Sequence, residues 1–309
     1  MGGASAERLP LRPQTLGELL DAATNLLRRN ALPLICTGFV FALAEQGVLY
    51  PLRRAAAAGP PWYVPPNFER LSAYWIVLAV GFGTETVIIV LLGGMAARAA
   101  LGDLTGAPPP RLLRGPGSRI GAQVSLAVLL GAGAALGSAA GLVPGIFWYL
   151  LAGLAAPVLS VDRRPVPERT HPIGPAAVGH PSLPRPAGPL VAIGPFPAIG
   201  RSVALVTRGG WRPAGVRLLG YLAWWIIRLG LGAGSIALLS LVVDRDSPWV
   251  WLAATFAWAI VNAIAYPALA CLDAVVHLEN RMRVEGLDIA LSRALHRNRP
   301  VEPALAVPR

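Results

Sequence analysis

Between Arg119 and Asp162 the chain runs without a single Asp, Glu, Lys, Arg or His. A helix that crosses a membrane needs roughly 20 apolar residues, so this one stretch has room for two. The sequence GLVPG at 141–145 supplies the break, because Pro144 and Gly145 interrupt a helix and let the chain turn. Helices are therefore expected over 120–140 and 144–161. Comparable apolar runs occupy 31–50 and 71–97, and two more, split by DRDSP, occupy 215–243 and 248–276. The fold class that follows is all-α, a polytopic membrane protein with six spans. Composition agrees. Charged residues are 14% of the chain, against about one quarter in ordinary soluble proteins.

The net charge of +11 suggests a nucleic-acid partner, but the distribution of that charge argues for a topology signal instead. All 27 basic residues are arginine. A phosphate-binding loop with its lysine, and pyridoxal or retinal Schiff bases on a lysine amine, are thereby excluded. With both termini placed in the cytoplasm, the inside segments hold 22 arginines and the outside segments four. Positive charge is retained on the cytoplasmic face, so the count predicts both termini inside a bacterial plasma membrane. Tyr50, Trp62, Tyr63, Tyr74, Trp75, Trp148, Tyr149, Trp249 and Trp251 all fall near the outer boundary, where an aromatic belt is expected.

Between and beside the spans the chain divides further. Residues 162–197 carry ten prolines and four glycines and read as an irregular cytoplasmic loop. Residues 1–30 read as a cytoplasmic tail with an interfacial helix, and 277–309 as a cytoplasmic C-terminal tail. Thr15 and Glu18 form a capping box. Behind it Leu16, Leu19, Leu20, Ala23 and Leu27 share a face, while Glu18, Asp21, Arg28 and Arg29 point away. A second amphipathic unit, with Ile199, Val203 and Val206 opposite Arg201, Arg208 and Arg212, precedes the fifth span. A degraded third, Arg111 to Arg119, precedes the third. Residues 31–161 then hold the first four spans, and 198–276 the second interfacial helix with the last two.

Little classical site chemistry is visible. None of the four histidines lies in a span, and neither paired cysteines nor HExxH spacing occurs, so no metal or other cofactor is expected. Cys36 and Cys271 sit in apolar runs and read as small buried hydrophobes. Ser138 in GSAAG lacks an intramembrane histidine base. Gly133, Gly137 and Gly141 recur every four residues on the third span, a spacing that lets another helix approach closely. Gly230 and Gly234 repeat the pattern on the fifth.

Polar residues inside the spans are the sharpest signal, because charge in a bilayer is costly and usually faces the bundle interior. Glu85, Arg228 and Asn262 fall near mid-depth. Glu45 lies toward the outer side and Asp273 close to the cytoplasmic end. These five form the candidate intramembrane polar site. A midplane Glu85–Arg228 pair neutralises itself and fixes helix packing; the same residues around a polar cavity would be a substrate or proton site.

Four blocks bear a family likeness: LRPQTLGELLDAATNLLRRN near the start, GLVPGIFWYLLAGLAAPVL at 141–159, GPFPAIGRSVALVTRGGWRPAGVRLL at 194–219, and HLENRMRVEGLDIAL at 277–291. They resemble an actinobacterial integral membrane-protein family related to the membrane domain named after glycerophosphoryl diester phosphodiesterases. Glu279, Arg281, Arg283, Glu285, Gly286 and Asp288 match its charged tail pattern, and His277 stands where the family has tyrosine. The proline-rich stretch 162–193 is an insertion relative to it. Nothing resembles the family's fused catalytic domain, so no enzymatic activity carries over. The resulting expectation is a non-enzymatic accessory or scaffold for other membrane components. Its partners would be the lipid bilayer and other membrane proteins reached through Gly133, Gly137 and Gly141, with no nucleic acid. The alternative is a transporter or channel for a small or lipid-like substrate at the polar midplane. A membrane-embedded lipid enzyme ranks third.

Overall fold

The computed structural model describes residues 10–60, 63, 67–106, 119–165, 190–241 and 248–307. Among them six helical stretches are long and apolar enough to cross a membrane. In chain order the elements are α1 (Leu16–Arg29), α2 (Ala31–Ala55), α3 (Leu71–Thr105), α4 (Ile120–Ala139), α5 (Val143–Ala152) and α6 (Ala155–Val161). There follow β1 (Arg163–Pro165), β2 (Leu190–Ala192), α7 (Pro195–Arg208), α8 (Arg212–Leu239), α9 (Pro248–Glu285) and α10 (Leu287–His296). The protein is an all-α, multi-pass membrane protein. Trp62, Arg111, Arg114, most of the 162–197 loop and the DRDSP turn lie outside the described residues.

The helices differ from the sequence expectation mainly in length. α9 has 38 residues, and at about 1.5 Å per residue it reaches about 57 Å, nearly twice the hydrocarbon thickness. α3, with 35 residues, is also long. Both project past the apolar layer at the end of the bundle where α2 begins, called here the terminal end. The opposite, distal end holds the α2–α3, α4–α5 and α8–α9 connections. The fourth span is not one helix: Gly153 and Leu154 divide it into α5 and α6.

α9 is the central helix, with α1, α2, α3 and α8 packed along it. Glycine permits the closest approach to it. Gly38 on α2 lies against the Ala263 carbonyl and Pro267 of α9, and an added Cβ would sit 3.0 Å from each. Pro267 has no N–H for that carbonyl, and the glycine lets the α2 backbone fill the space beside it. α3 and α4 meet similarly at Gly83, where a Cβ would fall 3.0 Å from the Gly131 carbonyl oxygen. Gly133 packs under Trp148, and Gly137 against Pro144 and Gly145. That face of α4 is therefore covered by the chain's own α5. Gly141 ends the stripe at φ 138°, in the turn, with nothing against it.

The terminal end is folded: the helix expected within residues 1–30 is present as α1, and the segment read as a C-terminal tail carries the end of α9 and α10. α1 has its Thr15–Glu18 capping box, but Leu19, Ala23, Leu26 and Leu27 are buried and the helix packs on α9 and α3. Only Leu16 and Leu20 of the stripe stay exposed. α7 buries Ala198, Ser202, Leu205 and Val206. Residues 277–285 are the last turns of α9; Gly286, at φ 66°, stops that helix and opens α10. β1 and β2 pair antiparallel, joining the ends of the proline-rich loop, and Val307 N donates to Arg163 O at 2.8 Å. Of the two cysteines, Cys271 is buried as expected, whereas Cys36 faces outward from α2.

Candidate functional site

The distal half of the bundle encloses a cavity of about 400 Å³. Arg53, Tyr63 and Tyr74 line it toward the distal end, and Glu45, Glu85, Arg228, Asn262, Tyr221 and Tyr266 form its base deeper in the bundle. Four of the five residues of the expected intramembrane polar site thus meet around one space; Asp273 lies elsewhere. The arrangement follows from the helices. α8 packs along α9 and only briefly against α5 and α7, so the gap between α8 and α3 is bridged by side chains.

Two carboxylates occupy the base. Glu85 Oε1 lies 2.9 Å from Arg228 Nη2, and Tyr221 OH donates to Glu85 Oε2 at 3.2 Å. The Arg228 guanidinium carbon stands 5.6 Å from the centroids of the Tyr221 and Tyr266 rings, within cation–π range. Glu45 has no cation beside it. It accepts from Tyr266 OH at 2.7 Å, Asn262 Nδ2 at 3.1 Å and Thr84 Oγ1 at 3.2 Å.

Polar atoms around the cavity remain unmatched within the protein. Gln46 Nε2, Tyr63 OH, Arg228 Nε and Trp258 Nε1 are buried donors without an acceptor, and Asn262 Oδ1 is a buried acceptor without a donor. Ser138 Oγ is alone too, and the ion-pair approach of Arg228 to Glu85 Oε1 is not aligned as a hydrogen bond. All seven of these residues line the cavity. Buried polar groups are normally satisfied, so a cluster of them facing one space marks where a polar group of something else would sit. Donors predominate, which suits an acceptor-rich headgroup. Leu78, Leu142, Ile146, Trp225 and Leu229 supply apolar wall.

Arg53 lines the distal end of the cavity. It donates to Gln46 Oε1 at 2.7 Å and lies 4.2 Å from the Tyr63 ring centroid. Burial raises the Tyr63 hydroxyl pKa, against the pull of Arg53. Tyr63 in turn meets Trp251 and Trp258 edge-on. Tyr149, expected in the outer belt, is instead deep and buried. With Phe82 and Tyr221 it forms an aromatic floor to the cavity.

Below that floor lies a second ion pair. Asp273 receives Arg217 Nε at 2.6 Å and Nη2 at 3.2 Å. Sequence counting placed Arg217 in a cytoplasmic segment, but α8 begins at Arg212 and carries it inside. The break in the fourth span provides its remaining acceptors: Arg217 Nη1 donates to Tyr149 O at 2.5 Å and Leu150 O at 2.8 Å. Gly153 leaves room for the guanidinium, which an added Cβ would overlap. Asp273 is therefore a sealed packing element and not part of the cavity.

At the terminal end a charge network gathers the tail residues. Asp162 accepts from Arg281 Nη1 at 2.9 Å and Arg201 Nε at 2.5 Å, with His277 Nε2 at 3.0 Å. Burial pushes the Asp162 carboxyl up, but His277, Arg281 and Arg201 outweigh it and hold the group well below the usual carboxylate range. Glu285 pairs with Arg201 and Arg281 at 2.8 Å, and Glu279 with Arg212 at 2.8 Å and with Arg283. Arg212 and Arg283 both also bond the Gln14 carbonyl. The charged tail pattern thus fastens α1, α7, α8 and α9 together. Among the described residues no group of three or more His, Cys, Asp or Glu side chains could hold a metal ion. Comparison with protein-family models, curated proteins and solved structures gives no match to this chain.

Proposed function

We propose that the protein is a transporter or channel for a small, lipid-like substrate, which binds in the distal cavity with its headgroup against Arg228, Asn262 and Gln46. The observation that carries this reading is the set of unmatched buried polar atoms converging on one cavity beside the Glu85–Arg228 pair. A scaffold needs the ion pair but has no use for the space next to it. The apolar wall and polar base together suit an amphiphile, since such sites combine hydrophobic lining with a few placed polar groups. Membership in the family suggested by the four sequence blocks, and the absence of enzymatic activity, are part of the same proposal. So is orientation: the arginine distribution supports cytoplasmic termini in a bacterial plasma membrane, which puts the cavity in the outer half of the bundle.

Gly81 provides a test. It lines the cavity, and a Cβ there meets only the Leu49 side chain, at 3.8 Å. Gly81→Leu fills the space with little strain. Lipids retained by the purified wild-type and variant proteins are compared by native mass spectrometry. A several-fold loss of bound lipid in Gly81→Leu is expected. Equal lipid on both proteins would overturn the cavity as the binding site.

A further inference from the structure

At mid-depth the cavity base holds two carboxylates, Glu45 and Glu85, and one guanidinium, Arg228. The cation is committed to Glu85 at 2.9 Å. Glu45 is buried, with 4% of its surface exposed, and its three contacts are the neutral donors Tyr266, Asn262 and Thr84. The other charged or titratable groups that act on it are Glu85 on α3, Arg228 on α8, Tyr266 on α9 and, along its own helix, Arg53. The Arg53 guanidinium is engaged with Gln46 and Tyr63 toward the distal end. Neither guanidinium forms an ion pair with Glu45, whose charge is therefore unpaired inside an apolar layer, where that is strongly disfavoured. Either a cation enters or a carboxylate takes a proton. We infer that Glu45 is a proton-binding site that loads and unloads through the distal cavity, so that the cavity's occupant and a proton share one space.

The surroundings accommodate both states of Glu45. Thr84 Oγ1 also lies 3.0 Å from the Val80 and Gly81 carbonyls, so its hydroxyl can turn to them and release the carboxyl. Asn262 Oδ1 has no donor; with the amide turned over, that oxygen accepts from the protonated acid. Protonation forms one O–H bond on a Glu45 oxygen, the proton coming from solvent through the cavity and returning the same way. The second carboxylate, Glu85, stays paired with Arg228 and bonded to Tyr221.

The coupling of proton to substrate rests on the transport reading; proton binding at Glu45 does not. Infrared titration of the full-length protein in lipid nanodiscs tests it. The wild type is expected to show a protonated-carboxyl C=O stretch that shifts on exchange into heavy water and disappears as pH rises. Glu45→Gln, which copies the shape of the protonated acid, is expected to fold and to lack the band. Persistence of the band in Glu45→Gln, its absence from the wild type, or failure to shift in heavy water overturns the inference. Failure of Glu45→Gln to fold also overturns it, because the site then requires the charged form. If Gly81→Leu loses no lipid while the infrared band behaves as expected, the proton site stands and the transport reading falls.

Discussion

Arg217→Leu is expected to be among the most damaging single changes in the protein, more so than Arg228→Leu, although both remove an arginine from the same helix. Arg217 and Asp273 are 1% and 3% exposed, and their fork contact lies at 2.6 and 3.2 Å. Removing one member of a buried pair costs about 3–5 kcal/mol, because the other is left as an uncompensated charge. The variant also strips a donor from the Tyr149 and Leu150 carbonyls, at about 1 kcal/mol each or more. The sum is about 5 kcal/mol or more, comparable to the whole stability of many domains. Arg228 faces a cavity instead of a sealed floor, so its loss should cost nearer the about 2.5–3.5 kcal/mol of insertion scales. Unfolding in mixed micelles titrated with denaturing detergent, followed by fluorescence of the nine tryptophans, measures both. Arg217→Leu with Asp273→Asn should recover part of the loss, since neither charge is then stranded. Gly153→Ala, which pushes into the guanidinium, should destabilise in the same direction by a smaller amount. Equal losses for Arg217→Leu and Arg228→Leu would show that the second pair is no more sealed than the first.

The Glu85–Arg228 pair should behave cooperatively: Glu85→Gln and Arg228→Leu each destabilise more than Glu85→Gln/Arg228→Leu together, and strictly additive losses in the same unfolding assay would mean the two are uncoupled. Asp162 sets an acid limit. Its carboxyl is held below its ordinary value of 3.8, so its stabilising contribution is complete above that value and is lost as pH falls below it. Thermal denaturation followed down to about pH 3 should show a steep acid limb in the wild type and a flatter one in Asp162→Asn; parallel limbs would remove Asp162 from that role. Single cysteines at Gly59 and Asn298, in a Cys36→Ser background, should report topology. A membrane-impermeant reagent applied to whole cells is expected to label the first and spare the second, and the reverse pattern would invert the orientation.

The spans were legible in the sequence because the bilayer imposes them: about 20 apolar residues are required whatever the neighbours do. The same pressure made Glu45, Glu85, Arg228 and Asn262 conspicuous, since each stands alone in an apolar run. Their convergence depended on helix rotation and on which helices become neighbours, and a single amphipathic period does not encode either when lipid and protein interior are equally apolar. Arg217 escaped notice because it lies within a turn and a half of the start of α8 and is counted with the cytoplasmic arginines until the helix is seen to begin at Arg212. The burial of the C-terminal segment was hidden in the sequence for a related reason. Residues 277–285 look polar and solvent-bound in the sequence, yet Glu279, Arg281 and Glu285 find partners on α7 and α8 and beside β1, so their charge is used for burial instead of hydration. Hydrophobicity along the chain, a local quantity, determined what crosses the membrane. Where charges are neutralised is a property of pairs far apart in sequence, and the tertiary structure alone decided which carboxylate at the cavity base lacks a cation.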